Sequence, residues 1–507
     1  MGKGGEVETS TPKATWRDRV ISADELEKKT GQDECWVAYK GDVYDTTHWL
    51  AKHPGGARII LNVAGSDCTA VMTTMHAPEV LEKSMKRMRR VGKLDASSFP
   101  PAMDRKNCME QDFNDLEQRL IQEGWYEPSI SAYTFQVLRV LTFLSLAVGF
   151  CLWGGQRGGD STLIAQGAVL VGATLLGLYF QNVAFLGHDA GHGSITGTFS
   201  SDMFVGVVVG NLASGIGMGW WKSTHHVHHG ATNSLNDDPD IQHLPLICVE
   251  DRMADNRWST YHGRYMPFDK FVSRIVPFQH LYFYPLMAVA RVNLYVQTLI
   301  HLARTCPYIP NGQVVSKPNE GKGEEHIPWP KASPLQWNLE VLGLAIFYTA
   351  LGTLLSSLRP GAALTTFLVS HVVAGILHVQ ICLSHFTMVF CTDGSGKGAL
   401  TADFSGFQEW QARSTMDIAC PTWMDWFHGG LQFQLEHHMF PRLPRYKLRQ
   451  LMPLVDEILL KYGIKPVRMS FLEGNRIMLK HLRDSGRRVS YQKGRSSNEW
   501  SSSRKDR

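Results

Sequence analysis

The stretch TLIAQGAVLVGATLLGLYFQNVAFLGHDAGH, residues 162–192, decides how the rest of the chain is read. Residues 162–187 carry no charged side chain and are long enough to cross a hydrocarbon core of about 30 Å. His188 and His192 follow at once. If the helix continues through them, their spacing of four stacks both imidazoles on one face, as two ligands of one metal require. A membrane crossing that ends in a ligand pair predicts a metal site at the membrane surface.

Working outward, residues 134–153, 336–358 and 361–384 are apolar runs of the same length class, giving four expected spans. Two further apolar stretches read as interfacial or re-entrant segments. Residues 203–220 hold five glycines and end in Trp220-Trp221, an aromatic pair expected at headgroup level, while 277–303 carries Arg291 and Asn293. Four spans place both termini on one side. The loops on the far side, GGQRGGDS and SLRPGA, are short, and the long loops and the basic stretch after Pro441 lie opposite. The positive-inside rule therefore predicts cytosolic termini.

The chain has 507 residues, 44% hydrophobic and 19% charged, which excludes a disordered protein and calls for more than one unit. Mean hydropathy of −0.16 is too polar for a chain that is membrane throughout, so a soluble part is joined to a membrane part. A net charge of +4 offers no strong field for nucleic acid. Nine scattered cysteines without a C-x-x-C pair fit a reducing compartment. Residues 1–15 read as a loose tail without a signal-peptide core, and Glu6 spoils the myristoylation pattern. A soluble α+β domain over 16–95, a linker helix over 96–133, a membrane domain over 134–480 and a basic polar tail over 481–507 complete the expected plan.

In the front domain, His53-Pro54-Gly55-Gly56 is followed 23 residues later by His76. A low-spin haem needs two neutral imidazoles from opposite faces and backbone that packs closely on the porphyrin. His48 lacks such a context and reads as structural. With the flanking WVAYKGDVYDTTHWLAK and AGSDCTAVMTTMH, the segment resembles a cytochrome b5 domain, in which His53 and His76 match the axial ligands of haem b.

Two more histidine clusters follow. In HHVHH, 225–229, the residues His225, His228 and His229 share a helical face, whereas His226 points about 100° away. In QLEHH, 434–438, Gln434 takes the first position before His437 and His438. His371, His378 and His385 step about 10.5 Å apart along the last span, and His385 lies at the depth of His188. His378 would line a cavity or satisfy a buried hydrogen bond. An imidazole-rich site suits iron, copper, zinc or nickel; eight imidazoles argue for two ions, and a tethered haem argues for redox iron working with O₂. Asp189, Asp237, Asp238 and Asp240 are candidates to orient ligating rings, with helix capping as the alternative.

HDAGH, WWKSTHHVHH, NSLNDDPDIQ, HVQICLSHF and CPTWMDWFHGGLQFQLEHHMFPRLPR together resemble the membrane front-end desaturases, which fuse cytochrome b5 to a histidine-box di-iron domain. The resemblance implies an all-α membrane domain with a cytosolic histidine cap. It implies iron ligation by His188, His192, His225, His228, His229, His385, His437 and His438, with Gln434 as a weak ligand or hydrogen-bonding group. Gly193, His226 and Ser384 depart from the usual pattern without removing a ligand. The expected activity is O₂-dependent insertion of a double bond into a lipid-linked acyl chain, delta-6 type, or a sphingoid base, delta-8 type. An external cytochrome b5 reductase would supply electrons, in the endoplasmic reticulum or a related membrane. A b5-fused lipid hydroxylase is the alternative within the class. A non-enzymatic haem-binding adaptor and a metal transporter are the alternatives outside it; the latter would need polar ligands near mid-bilayer.

Overall fold

The computed structural model describes residues 19–53, 55–98, 103–156, 158–309, 330–391 and 406–502; the expected tail, 1–15, lies outside them. The front domain is built on a four-stranded sheet, β1 (Val20–Ile21), β2 (Trp36–Tyr39), β3 (Asp42–Asp45) and β4 (Arg89–Leu94), in the order β1-β4-β3-β2. β1 runs parallel to β4 and the other pairs are antiparallel. Two short helices, α1 (Ala57–Val63) and α2 (Thr69–Met75), carry the segments that follow His53 and precede His76.

The linker helix α3 (Met103–Gln122) buries Met109, Phe113, Leu116 and Leu120 against a later helix. The membrane domain begins with α4 (Ile130–Gly155) and α5 (Leu163–His192), each started by a hydroxyl side chain, Ser129 and Thr162, that accepts from a backbone N–H of the first turn. Then come α6 (Met218–Ala231), α7 (Gln279–Thr305), α8 (Pro334–Ser357) and α9 (Pro360–Phe386). α4 with α5, and α8 with α9, form two hairpins whose short loops meet. Arg359 donates to the Gly154 and Gly159 carbonyls at 2.8 and 2.9 Å, and Gln156 bridges to Leu358. The histidine clusters lie at the opposite ends.

Five helices, not four, are long and apolar enough to cross a membrane among the described residues, and the addition is α7. Its Arg291 and Asn293 argued for an interfacial segment. The fold instead buries Arg291: Nε donates to the Tyr295 hydroxyl at 2.8 Å, Nη2 donates to Ser214 Oγ at 2.9 Å, and the guanidinium lies 4.2 Å from the Phe180 ring centre. A charge satisfied inside the bundle no longer forces the helix to the surface. Both ends of α7 nevertheless meet the histidine end, so its course agrees with the re-entrant reading although its length and composition would suffice for a crossing. Phe283 packs on Phe386, and the Leu302 carbonyl accepts from Trp337 Nε1 at 2.9 Å, at the start of α8. The 203–220 stretch forms no span-length helix.

Beyond the membrane helices, α10 (Phe407–Ser414), α11 (Gln434–Met439), α12 (Leu448–Lys461) and α13 (Phe471–Ser502) build the cap. The apolar face of α12 receives α3. Residue 481, expected to open a polar tail, falls inside α13. Met478, Leu482 and Val489 are buried with Phe283 and Leu383, because the basic composition occupies one face and the apolar residues the other. The front domain docks on this cap: Ile60, Val63 and Val71 share one apolar cluster with Ala231, Phe407 and Trp410, and Arg442 Nε donates to the Thr74 carbonyl.

Candidate metal centre

α5 continues without a break to His192, so the first pair is helical, with ring centres 4.7 Å apart. Gly193, at φ +77°, then ends the helix in the left-handed conformation that glycine adopts without strain. α6 presents His225, His228 and His229, α9 presents His385 at its last turn, and α11 presents His437 and His438.

These rings meet in two groups. The ligand atoms of His188, His192, His225 and His437 all lie within 4.8 Å of one another, as do those of His228, His385 and His438. His229 stands between the groups: its Nε2 is 3.0 Å from His225 Nε2, and its ring stacks on His438 at 4.2 Å. His378 and His371 belong to neither group. His371 bonds to the Phe367 carbonyl at 2.7 Å, and His378 Nδ1 is buried without a partner. Gln434 is buried beside the second group, donates to the Leu431 carbonyl at 2.9 Å and reaches toward His385.

The outer nitrogens are fixed by neighbours. His228 Nδ1 donates to Asp238 at 3.0 Å, His385 Nδ1 to the Ser414 carbonyl at 3.1 Å, and His438 Nδ1 to Gln411 Oε1 at 2.8 Å. Each bond sets the tautomer whose Nε2 lone pair faces the cluster. Of the four aspartates considered, Asp238 orients a ring directly, and Asp240 lies 3.9 Å from the same nitrogen. Asp237 serves Ser234 and Thr260, while Asp189 pairs with Arg445 at 2.6 Å and accepts from Tyr133 at 2.9 Å. Gln411 and Ser414 carry no signal in the sequence, since neither belongs to a histidine motif.

Trp221, expected at headgroup level, is instead part of the site wall. It stacks on His225 at 4.3 Å and meets His188 and His192 edge-on. Gly191 makes room for it, because a Cβ there would lie 1.9 Å from Trp221 Cζ3. Arg468 ties Asp417 and Glu436 at 3.1 and 3.2 Å, and Asp417 accepts from Leu435 N, which holds the third histidine helix in place.

Burial, reinforced by neighbouring imidazoles, holds His225, His229, His437 and His438 well below the usual imidazole range, so they are neutral donors. For His228 burial acts in the same direction, but Asp238 and Asp240 outweigh it and raise the ring to about 9, so a metal bound at its Nε2 would displace a proton. In the cluster, buried ring nitrogens without a partner remain at Nε2 of His192, His385 and His438 and at Nδ1 of His188, His229 and His437. Converging neutral lone pairs with no protein donor to satisfy them are chemically suited to hold a pair of transition-metal ions.

The front domain offers a second site. The His53 and His76 ring centres are 6.0 Å apart, matching the roughly 6 Å expected when two imidazoles bind one metal at about 2 Å each. His53 Nδ1 faces the Gly56 carbonyl at 3.3 Å and His76 Nδ1 the Met72 carbonyl at 3.1 Å, freeing both Nε2 atoms for an iron between them. Burial lowers His53 to about 4 and lowers His76 as well.

With both sites in view, comparison with known proteins is direct. The fatty acid desaturase family model matches residues 165–468, and that of the cytochrome b5-like haem/steroid-binding domain matches 22–95. The chain belongs to the fatty acid desaturase family, as a membrane oxidoreductase of the b5-fused front-end type. It is 36% identical to the Delta(8)-fatty-acid desaturase of Helianthus annuus over 92% of this chain and 91% of the relative. It is 29% identical to the Delta 8-(E)-sphingolipid desaturase of Komagataella phaffii, covering 93% and 94% of the two chains. Identity to the acyl-lipid (9-3)-desaturase of Borago officinalis is 30%, covering 92% and 93%. Membership in this family sets aside the adaptor and transporter alternatives.

Proposed function

We propose that the enzyme introduces a delta-8-type double bond into the long-chain base of a membrane sphingolipid. Full-length similarity to relatives named for delta-8 and sphingolipid desaturation supports this reading over the delta-6 acyl-lipid alternative. One iron would be held by His188, His192, His225 and His437, and a second by His228, His385 and His438. His229 lies between them and Gln434 alongside. The convergence of unpartnered, neutral imidazole nitrogens at the ends of α5, α6, α9 and α11 is the observation that carries the reading.

Iron with O₂ supplies the oxidising power that an unactivated methylene requires. The chain's own residues do the rest. Asp238, Ser414 and Gln411 hold three rings by their Nδ1 atoms, fixing where the lone pairs point. Trp221 and the buried ends of α5 and α9 keep water from the cluster. The apolar helices would align an extended chain so that one pair of carbons meets the centre. His53 and His76, each oriented by its Nδ1 contact with the Gly56 or Met72 carbonyl, would hold haem b, with a cytochrome b5 reductase as electron donor. The hairpin loops at one end and the histidines at the other support cytosolic termini, in the endoplasmic reticulum or a related membrane.

The test is expression in a host without delta-8 desaturation, followed by mass spectrometry of long-chain bases and acyl chains. A delta-8 unsaturated base is the expected product. New unsaturation only in acyl chains would establish the acyl-lipid reading, and a hydroxylated base would establish a hydroxylase.

A further inference from the structure

His226 is the one histidine of the second cluster that periodicity turns away from the metal ligands, and the fold gives it a different set of neighbours. Its ring centre is 5.5 Å from that of His192 and 6.4 Å from that of Trp221, so it touches the metal centre from outside. Its ring also bonds to the backbone of Gly191, the residue before His192, and it lies within the electrostatic reach of both His53 and His76. The seam it occupies is formed by the haem module itself, where α1 packs on α6 and Ala231 joins the apolar cluster of the front domain. Arg442 clamps the same seam by its bond to Thr74, two residues before His76.

We propose that His226 is the electron bridge between the haem pocket and the metal centre, a positioning residue that is not itself a metal ligand. The inference rests on the reading of His53 and His76 as haem ligands and of the histidine cluster as an iron site. Each electron leaves a ferrous haem, which becomes ferric, and reduces one ferric ion of the cluster to ferrous. No bond in His226 is made or broken, and no proton need travel with the electron. Tunnelling rates fall steeply with the gap between donor and acceptor. A π ring that contacts a ligand ring and belongs to the helix on which the haem module packs shortens the through-space part of that gap. Covalent attachment of the haem module fixes the seam, so the bridge need not be rebuilt at each encounter.

The experiment uses the full-length protein with haem and iron bound, in detergent and without O₂. The haem is photoreduced by a flash while the iron is ferric, and its reoxidation is followed in the Soret band. Wild type is compared with His226→Phe, which keeps a ring, and His226→Val, which removes it. Haem content, iron content and haem midpoint potential should be unchanged in both variants. Reoxidation should be several-fold slower in His226→Val and close to wild type in His226→Phe. Wild-type reoxidation in a fully loaded His226→Val would overturn the bridge. Loss of iron from His226→Val would make the residue a ligand or a structural support, and equal slowing in His226→Phe would make its bond to Gly191 the operative feature; either result also overturns it. Absence of haem or iron from the wild-type protein would instead defeat the cofactor reading on which the bridge rests.

Discussion

Asp238→Asn isolates the contribution of a single carboxylate to metal binding. Asp238 is fully buried and serves three donors: His228 Nδ1 at 3.0 Å, the Asn233 N–H at 2.7 Å and the Asp240 N–H at 2.8 Å. Asparagine keeps one acceptor oxygen and turns an NH₂ toward a remaining donor, so at least one charge-assisted bond is lost, worth about 1.5–3 kcal/mol. It also removes the negative charge that holds the His228 ring in place. Losing such an outer partner typically weakens metal affinity 10–100-fold, or about 1.4–2.8 kcal/mol. Iron retained at graded chelator concentrations measures this, with haem absorbance reporting that the chain has folded. Asp237→Asn is the control, because Asp237 accepts only from Ser234 and Thr260, and burial already raises its carboxyl to about 6. An Asp238→Asn protein with full haem and a wild-type chelator midpoint would refute the assigned role.

Gly191→Ala should destabilise the site by about 1–3 kcal/mol, since its new methyl must displace the Trp221 ring; iron content and thermal unfolding should both fall, and unchanged values would show that the helices yield freely. His385→Ala should lose iron, whereas His378→Ala, outside both ligand groups, should keep it and alter chain preference at most; elemental analysis showing the reverse would reassign the ligand. In the haem module, His53 titrates near 4 when folded against about 6.5 unfolded, so the unfolded chain binds more protons between these values. The His53 contribution to haem-free stability is therefore full above pH 6.5 and lost as pH falls toward 4. Denaturant midpoints of haem-depleted protein that stay constant from pH 7 to pH 4 would contradict this.

Local pattern determined much of this protein. Apolar runs of span length, the i,i+4 spacing of HDAGH and the HPGG signal are short-range features, and depth along one helix suffices to separate His385 from His378. Only the tertiary structure decided what each motif faces. Arg291 argued for a surface helix, but its charge is met by Tyr295 one turn on and by Ser214 and Phe180, which only the fold brings in from other segments. The partners of the metal-facing rings, Gln411 and Ser414, come from a helix with no histidine, so no spacing points to them. Residues 481–489 look polar on average, yet Leu482, Ser485 and Val489 recur at helical spacing and are buried. His226 shows the division most sharply: helical periodicity fixes the direction in which its ring departs from the cluster. The docking of a separate domain, through contacts between residues far apart in the chain, fixes what that ring meets.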